Sequence, residues 1–326
     1  MSSAFPFSLK PISILAVIVV YKQVPEQSSS LKSLLMAKQN NIPTDVRLTI
    51  LVADNTPGGQ VIALKPDVFR YRAYPDNPGL ARPYNDALRT AEEEQFEWLL
   101  TLDQDTSLPQ DFLAGMVRGL RTFGTDEEVA AVVPRIHDGG KFISPFRFKG
   151  GFLPVVTPER ASGVLGPHTS ALNSASLLKV KATRAIGGYD EHFPLHNSDT
   201  RFYQKLDRAG KRVALVADIL VAHEFSILDR AGRMSPERYQ QMLIDECTFW
   251  DRHMSFAARF ERVVRLLGRY GSGFLRGEQP VFQNVTRMEI CRRIFQSRKS
   301  RQQDRLKHLE AKVLETQHRC GLVDNG

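Results

Sequence analysis

The chain has 326 residues, 42% of them hydrophobic and 25% charged, with a formal net charge of +8. This is ordinary globular composition, enough for one large core or for one core with appendages. Its three cysteines, Cys247, Cys291 and Cys320, lack metal-ligand spacing and cannot all pair, which excludes a disulfide framework and points to a reduced compartment.

The first predicted element, Ile12–Val20, is a short, continuous, β-branched run of the kind found in strands buried on both faces. It is about half the length needed to cross a bilayer. It also lacks the charged n-region and cleavage site of a secretory signal. No later stretch is long and apolar enough to cross, so a cytoplasmic protein, soluble or peripherally bound, is expected. A helix is predicted over about residues 25–40, with Leu31, Leu34 and Leu35 as its apolar positions. A second buried strand, RLTILVADN at 47–55, runs into the turn residues Asp54-Asn55-Thr56-Pro57-Gly58-Gly59. Then follow a strand over 68–74, the turn DNPG at 76–79, and a helix over about 80–94. The fourth strand, EWLLTLDQD at 97–105, precedes a helix over about 110–123 and a strand over 129–136. Residues 138–166 are rich in Gly, Phe and Pro and have no period, as in an irregular sheet edge or a flap. Helices are predicted over 177–185, closed by Gly187-Gly188, and over 199–209, closed by Gly210. A strand over 211–225 ends the body, and the rest reads as helical, with a polar stretch at 296–312 that is expected to fray.

Alternating strands and helices at this pitch define an α/β, doubly wound domain, in which ligands bind outside the carboxyl ends of the strands. Two polar clusters fall at such ends. Asp103-Gln104-Asp105 sets two carboxylates one residue apart, an oxygen site for a hard cation such as Mg²⁺ or Mn²⁺ that shares its remaining ligands with phosphates. The alternative is an acidic turn capping the next helix. Asp54-Asn55 is the second cluster, fit to accept hydrogen bonds from a base or ribose, or simply to form a turn before Pro57.

Several segments in order carry a resemblance. They are VIVVYK at 17–22, LVADNT at 51–56, NPGLARPYNDAL at 77–88 and WLLTLDQDT at 98–106. NSASLLKV at 173–180, GGYDEHF at 187–193, HNSDTRFYQKLDRAG at 196–210 and the histidine of LVAHEF at 220–225 complete the set. Together they resemble the catalytic domain of glycosyltransferase family 2, especially its bacterial rhamnosyltransferase-like members, over about residues 11–225. The resemblance implies a GT-A (Rossmann-like) fold: a mixed, mostly parallel sheet flanked by helices. Residues 1–229 would be the catalytic domain and 230–326 a basic, mainly helical extension.

By the same resemblance, Asp54 binds the nucleobase and Tyr21 lines its pocket. Asn77 and Arg82 help to hold the nucleotide, and Asp103 contacts ribose and cation. Asp105 is the principal protein ligand of the Mg²⁺ or Mn²⁺, and His223 completes the metal or diphosphate site. Asp199 is the general base of an inverting transfer, although the same residue suits a helix N-cap. Asp190-Glu191 is the rival pair and is mainly structural in the family. The implied reaction moves a sugar, L-rhamnose among the candidates, from a dTDP- or UDP-linked donor to a saccharide or lipid-linked acceptor of a bacterial surface polysaccharide. A non-catalytic glycan-binding or scaffolding domain and a nucleotidyltransferase are the competing readings. The latter would carry a Gly-rich basic loop after the first strand, which VIVVYKQVPEQ does not.

Two positions depart from the family pattern. Arg201 stands where an acid is common, and Ser174-Ala175 where Ser-Gly is common. The charge is also uneven. Residues 230–326 hold 19 Lys and Arg against 11 Asp and Glu, so the whole net charge of +8 falls there and residues 1–229 are balanced. A basic part favours anionic partners. Residues 254–276 mix Phe, Val and Leu with arginines, as in a helix lying among membrane headgroups or one packed on the body with its arginines solvated. No aromatic-basic recognition motif appears, and no nucleic acid is expected as a partner.

Overall fold

A computed structural model of the chain describes residues 11–62, 67–149, 153–158, 160–223, 235–254, 256–275, 277, 279–304 and 307. In chain order the elements begin β1 (Ile12–Val20), α1 (Ser29–Asn41), β2 (Val46–Asp54), β3 (Arg70–Ala73), α2 (Ala81–Glu93), β4 (Trp98–Asp103), β5 (Thr106–Ser107) and α3 (Phe112–Phe123). Next come β6 (Val129–Asp138), β7 (Lys141–Ser144), β8 (Phe146–Lys149), β9 (Leu153–Val156), β10 (Gly163–Val164), β11 (Thr169–Ser170) and β12 (Ser176–Lys179). Then follow α4 (Val180–Ala185), α5 (Ser198–Arg208), β13 (Arg212–His223), α6 (Pro236–His253), α7 (Phe256–Leu275) and α8 (Pro280–Phe295).

The main sheet runs β10-β13-β6-β12-β4-β1-β2-β3, with β5 beside β13 and β7 beside β6. The β4-β1-β2-β3 run and the β6-β13 pair are parallel, while β12 lies antiparallel between β4 and β6. The mixed, mostly parallel sheet is thus as expected. Its strands alternate sides with a period of two. Ile12, Ile14, Ala16, Ile18 and Val20 join the core under α1 and α3. Leu15, Val17 and Val19 join the core under α2 and α5. Helices cover both faces, which is why β1 reads as one unbroken apolar run.

One expectation fails outright. Residues 177–179 are not helical: they belong to β12, and only Val180–Ala185 forms a helix. Leu177 and Leu178 are helix formers, but their backbone groups are needed between β4 and β6, where tertiary pairing overrides propensity. The stretch over 138–166 is the irregular sheet edge of the two alternatives, because β7 extends the main sheet and β8, β9 and β11 form a second small one.

The C-terminal helices build a core of their own. Tyr239, Met242, Leu243, Cys247, Phe249 and Trp250 of α6 pack with Leu266, Phe282 and Ile290, and Phe193 from the α/β body enters the same cluster. Phe193 sits edge-on to Phe249 at 5.8 Å and beside His253. The helix over 256–275 is oriented opposite to the solvated-arginine picture. Arg262 lies over the Trp250 ring at 3.7 Å, and Arg262 and Arg269 both pair with Glu246. The polar stretch after 296 does not fray where it is described: Arg301 reaches Asp251 at 3.0 Å. Cys247 is buried, with burial holding its thiol well above the usual range, and Cys291 is exposed and free. Cys320 and the proposed boundary at 229/230 lie outside the described residues.

The turn before α2 is held by one glycine. Gly79 has φ +83°, accepts a hydrogen bond from Asn55 Nδ2 at 2.7 Å, and abuts the Pro194 carbonyl, which also receives the Leu80 N–H. A Cβ there would run into Pro194 and would sit in the left-handed region. Gly79→Ala is expected to cost about 2–4 kcal/mol in urea denaturation, well beyond the effect of a surface glycine substitution.

Candidate functional site

The carboxyl ends of β1, β2 and β4 bring the sequence candidates to one edge of the sheet. In register, Val20 pairs with Asp54 on one side and Val19 with Asp103 on the other. The Asp103–Asp105 turn is then pinned from below by the start of α1. Ser28 Oγ donates to the Gln104 carbonyl at 2.8 Å, and Ser30 Oγ donates to the Asp103 carbonyl and accepts from the Thr106 N–H. Gln104 Oε1 in turn accepts from the Tyr21 N–H at 2.7 Å. The turn is therefore a fixed platform and not a helix cap, since α3 starts only at Phe112.

Asp103 is oriented by two hydroxyls. Tyr84 OH donates to its Oδ1 at 2.9 Å and Ser174 Oγ to its Oδ2 at 2.5 Å. Tyr84 is fully buried, and burial and the neighbouring Asp103 charge push its phenol well above the usual range, so it stays a donor. Ser174 reaches Asp103 because Ala175 takes φ +62°, so that an alanine here adopts a backbone conformation that favours glycine.

Asp105 projects further out. Burial and then the Asp103 charge raise its carboxyl, opposed by His223. The antiparallel β5-β13 pairing sets His223 opposite Thr106 and brings its Nδ1 to 3.1 Å from Thr106 Oγ1 and 3.5 Å from Asp105 Oδ1. Among the described residues, no group of three or more His, Cys, Asp or Glu side chains is close enough to cage an ion. The donor set fits a Mg²⁺ or Mn²⁺ held by one or two carboxylates with phosphate oxygens supplying the rest. The Asp103 charge that raises the Asp105 carboxyl is offset by such a cation.

Asp199 is half-buried, in the first turn of α5. It is not the N-cap: Asn197 holds that position with φ +61°, and Asp199 Oδ1 accepts from the Thr200 N–H at 2.6 Å. Burial first, and the Asp103 charge as well, raise its carboxyl to about 6 against the lowering effect of hydrogen bonds from Thr200. The two acids therefore feel one another across the site. His196, just before, is held down to about 4 by burial and by Arg238 of α6, and its Nε2 is buried without a partner.

The other candidates fall differently. Asp54 is fully buried, and its oxygens already accept from the Thr56 N–H, Gln60 Nε2 at 3.0 Å and Tyr71 OH at 2.6 Å. Its turn-forming role is present as drawn. Asn77 adopts φ +44° in the turn before α2. Arg82 is exposed, and its guanidinium pairs with Asp76 at 2.8 Å. Tyr21 is 41% exposed at the rim, close to Lys22. Asp190, held below the usual range by His192 and Arg201 against its burial, is a structural acid, and the unusual Arg201 is its partner at 3.3 Å. Asn85 clamps the same segment, accepting from the Tyr189 N–H at 2.8 Å.

Tyr84, Ser174, Gln104, His196 and Arg238 were not among the sequence candidates. Tyr84 and Ser174 lie inside quoted motif segments, but nothing in those segments shows that their hydroxyls meet Asp103. Arg238 has no local signal at all.

The sheet order, the acidic turn after β4 and the helices on both faces define a GT-A fold. No family model matches the chain. The chain is 25% identical over 179 residues to the succinoglycan biosynthesis protein ExoA of Rhizobium meliloti (strain 1021), a match covering 52% of this chain and 52% of that protein. The chain thus spans about half the length of the curated relative it matches. Among solved structures, GalNAc-T7 with UDP, GalNAc and Mn²⁺ superposes with a TM-score of 0.53 at 12% identity, over 74% of this chain and 48% of that one. TarS 1-349 of S. aureus in complex with UDP-GlcNAc gives a TM-score of 0.48 at 15% identity, over 84% of this chain and 79% of that one.

Proposed function

We propose that the chain is a metal-dependent, inverting glycosyltransferase that uses a nucleotide-diphosphate sugar and contributes to surface polysaccharide synthesis in a bacterium. The observation that carries this reading is the placement of Asp103, Asp105 and Asp199 at one sheet edge, with Asp199 raised to about 6 by burial and by the Asp103 charge. The fold it shares with GalNAc-T7, the UDP and Mn²⁺ bound there, and the succinoglycan role of ExoA support it.

In this reading the base lies between Tyr21 and the loop that Asp54 organises, with the Asn77 turn beside it. Asp103, fixed by Tyr84 and Ser174, receives the ribose. Asp105 and His223 face the diphosphate. A bound Mg²⁺ or Mn²⁺ supplies charge that stabilises the leaving diphosphate. Asp199 takes the proton of the acceptor hydroxyl as its oxygen attacks the anomeric carbon, and the bond to the diphosphate breaks with inversion. The neutral His196 and the unpartnered buried Nε2 it carries offer a hydrogen bond to a sugar hydroxyl, which suits a saccharide or lipid-linked acceptor.

The test is thermal unfolding with UDP, dTDP, GDP and their sugars, including dTDP-L-rhamnose, with and without Mn²⁺. A pyrimidine diphosphate at roughly 100-fold excess over its Kd is expected to raise the midpoint by about 5 °C with metal and by less without it. No metal-dependent stabilisation by any nucleotide would remove the donor from the reading.

A further inference from the structure

The helix α7 is turned inside out relative to an ordinary surface helix. Phe256, Phe260, Val264, Leu267, Phe274 and Leu275 are exposed, at 77%, 65%, 52%, 49%, 60% and 90% respectively. At 3.6 residues per turn these positions fall within one arc of about 100°. The opposite side carries Leu266, which is buried, and Arg262 and Arg269, which pair with Glu246 on α6. Arg262 and Arg269 thus face the fold, and the phenylalanines face outward. A contiguous apolar face of this length is not a resting surface for a helix in water.

The charge around it selects what covers it. The net +8 of the whole chain resides in residues 230–326. Arg287, Arg292, Arg298 and Lys299 are exposed on and just after α8, which packs against α7. A second copy seated on the stripe would bring the same excess of positive charge against itself, whereas an anionic lipid surface is complementary to it. Among the described residues no helix is long and apolar enough to cross a membrane, so the geometry is that of a helix lying in the plane of the interface.

We infer that α7 is a membrane-docking helix. Its outward stripe enters the boundary between headgroups and acyl chains of an anionic bilayer, and the basic residues of α8 and the segment after it bind the headgroups. The surface stands apart from the sugar-transfer site and does not depend on the reading of that site.

The experiment is co-sedimentation of the full chain with phosphatidylcholine vesicles and with vesicles that also contain phosphatidylglycerol. The wild type is expected to bind the anionic vesicles at least about tenfold more tightly than the neutral ones. Phe260→Glu with Leu267→Glu is expected to weaken that binding by at least about tenfold, since two apolar anchors are replaced by charges that the lipid repels. Phe260→Ser serves where the double variant does not fold. Arg292→Glu with Arg298→Glu should remove the preference for anionic lipid. The Mn²⁺-dependent thermal response to UDP, measured on each variant, should stay at the wild-type value, which separates this surface from the donor site. Wild-type protein that ignores both vesicles, or a stripe variant that binds as well as wild type, overturns the inference. So does a solution dimer that the stripe variant dissociates while vesicle binding is absent, which assigns the stripe to a second copy.

Discussion

Asp199→Asn is expected to lower turnover by about 10²–10⁴-fold while leaving donor affinity nearly unchanged, and at the same time to make the protein more stable at pH 7.5. The two effects have one cause. The folded protein raises the Asp199 carboxyl to about 6, from an ordinary 3.8, chiefly by burial. As pH rises from 3.8 to 6 the unfolded chain gives up this proton before the folded one does, so stability falls across that window and remains lower above it. Asparagine is neutral at every pH and keeps the oxygen that accepts from Thr200. The gain at pH 7.5 is on the order of 1–3 kcal/mol and should shrink as pH falls below 6. In the wild type, kcat/KM should climb through pH 6 and level off above it, as the base loses its proton. Urea melts at pH 5 and 7.5 together with steady-state kinetics check all three. A variant that is inactive but destabilised would point to a structural acid instead.

Asp105→Ala is expected to abolish metal-dependent donor turnover, a loss of at least about 10³-fold or roughly 4 kcal/mol of barrier, with the fold intact. Its carboxyl lies 3.5 Å from His223 Nδ1 and is raised by burial and by Asp103. Removing it therefore relieves a like-charge contact, and the apo protein should melt at or above the wild-type temperature. Calorimetric titration of UDP with Mn²⁺ should show the affinity gained from metal disappear, while metal-free UDP binding persists. Undiminished Mn²⁺-dependent transfer by Asp105→Ala would sink the assignment of this carboxylate to the cation.

Much of the fold is legible because β1, β2, β4 and β6 are mostly apolar, as strands covered on both faces must be. The exception, residues 177–179, has the composition of a helix and the environment of a strand between β4 and β6. Composition does not carry that information. Within the site, Asp103 and Asp105 could be placed because they end a strand, and His223 because it ends another. The Tyr84 and Ser174 hydroxyls could not be placed, since their approach to Asp103 depends on α2 packing over the sheet and on the backbone turn at Ala175. The Arg82–Asp76 pair is likewise not visible in the motif, because it forms only once the turn before α2 is built. The direction of α7 was hidden because its arginines find Glu246 and Trp250 only in three dimensions.

Phe193 connects these parts mechanically. It is fully buried among the C-terminal helices, and it lies six residues before Asp199, with Pro194 between them braced against Gly79 and Leu80. The stretch that leads into Asp199 is thus anchored at one end in a core built mainly by the C-terminal helices. Cutting the chain at 229 would bare the Phe193 ring to water and release one end of the segment that leads into Asp199. The helices α6, α7 and α8 thus share one core with the segment that leads into Asp199.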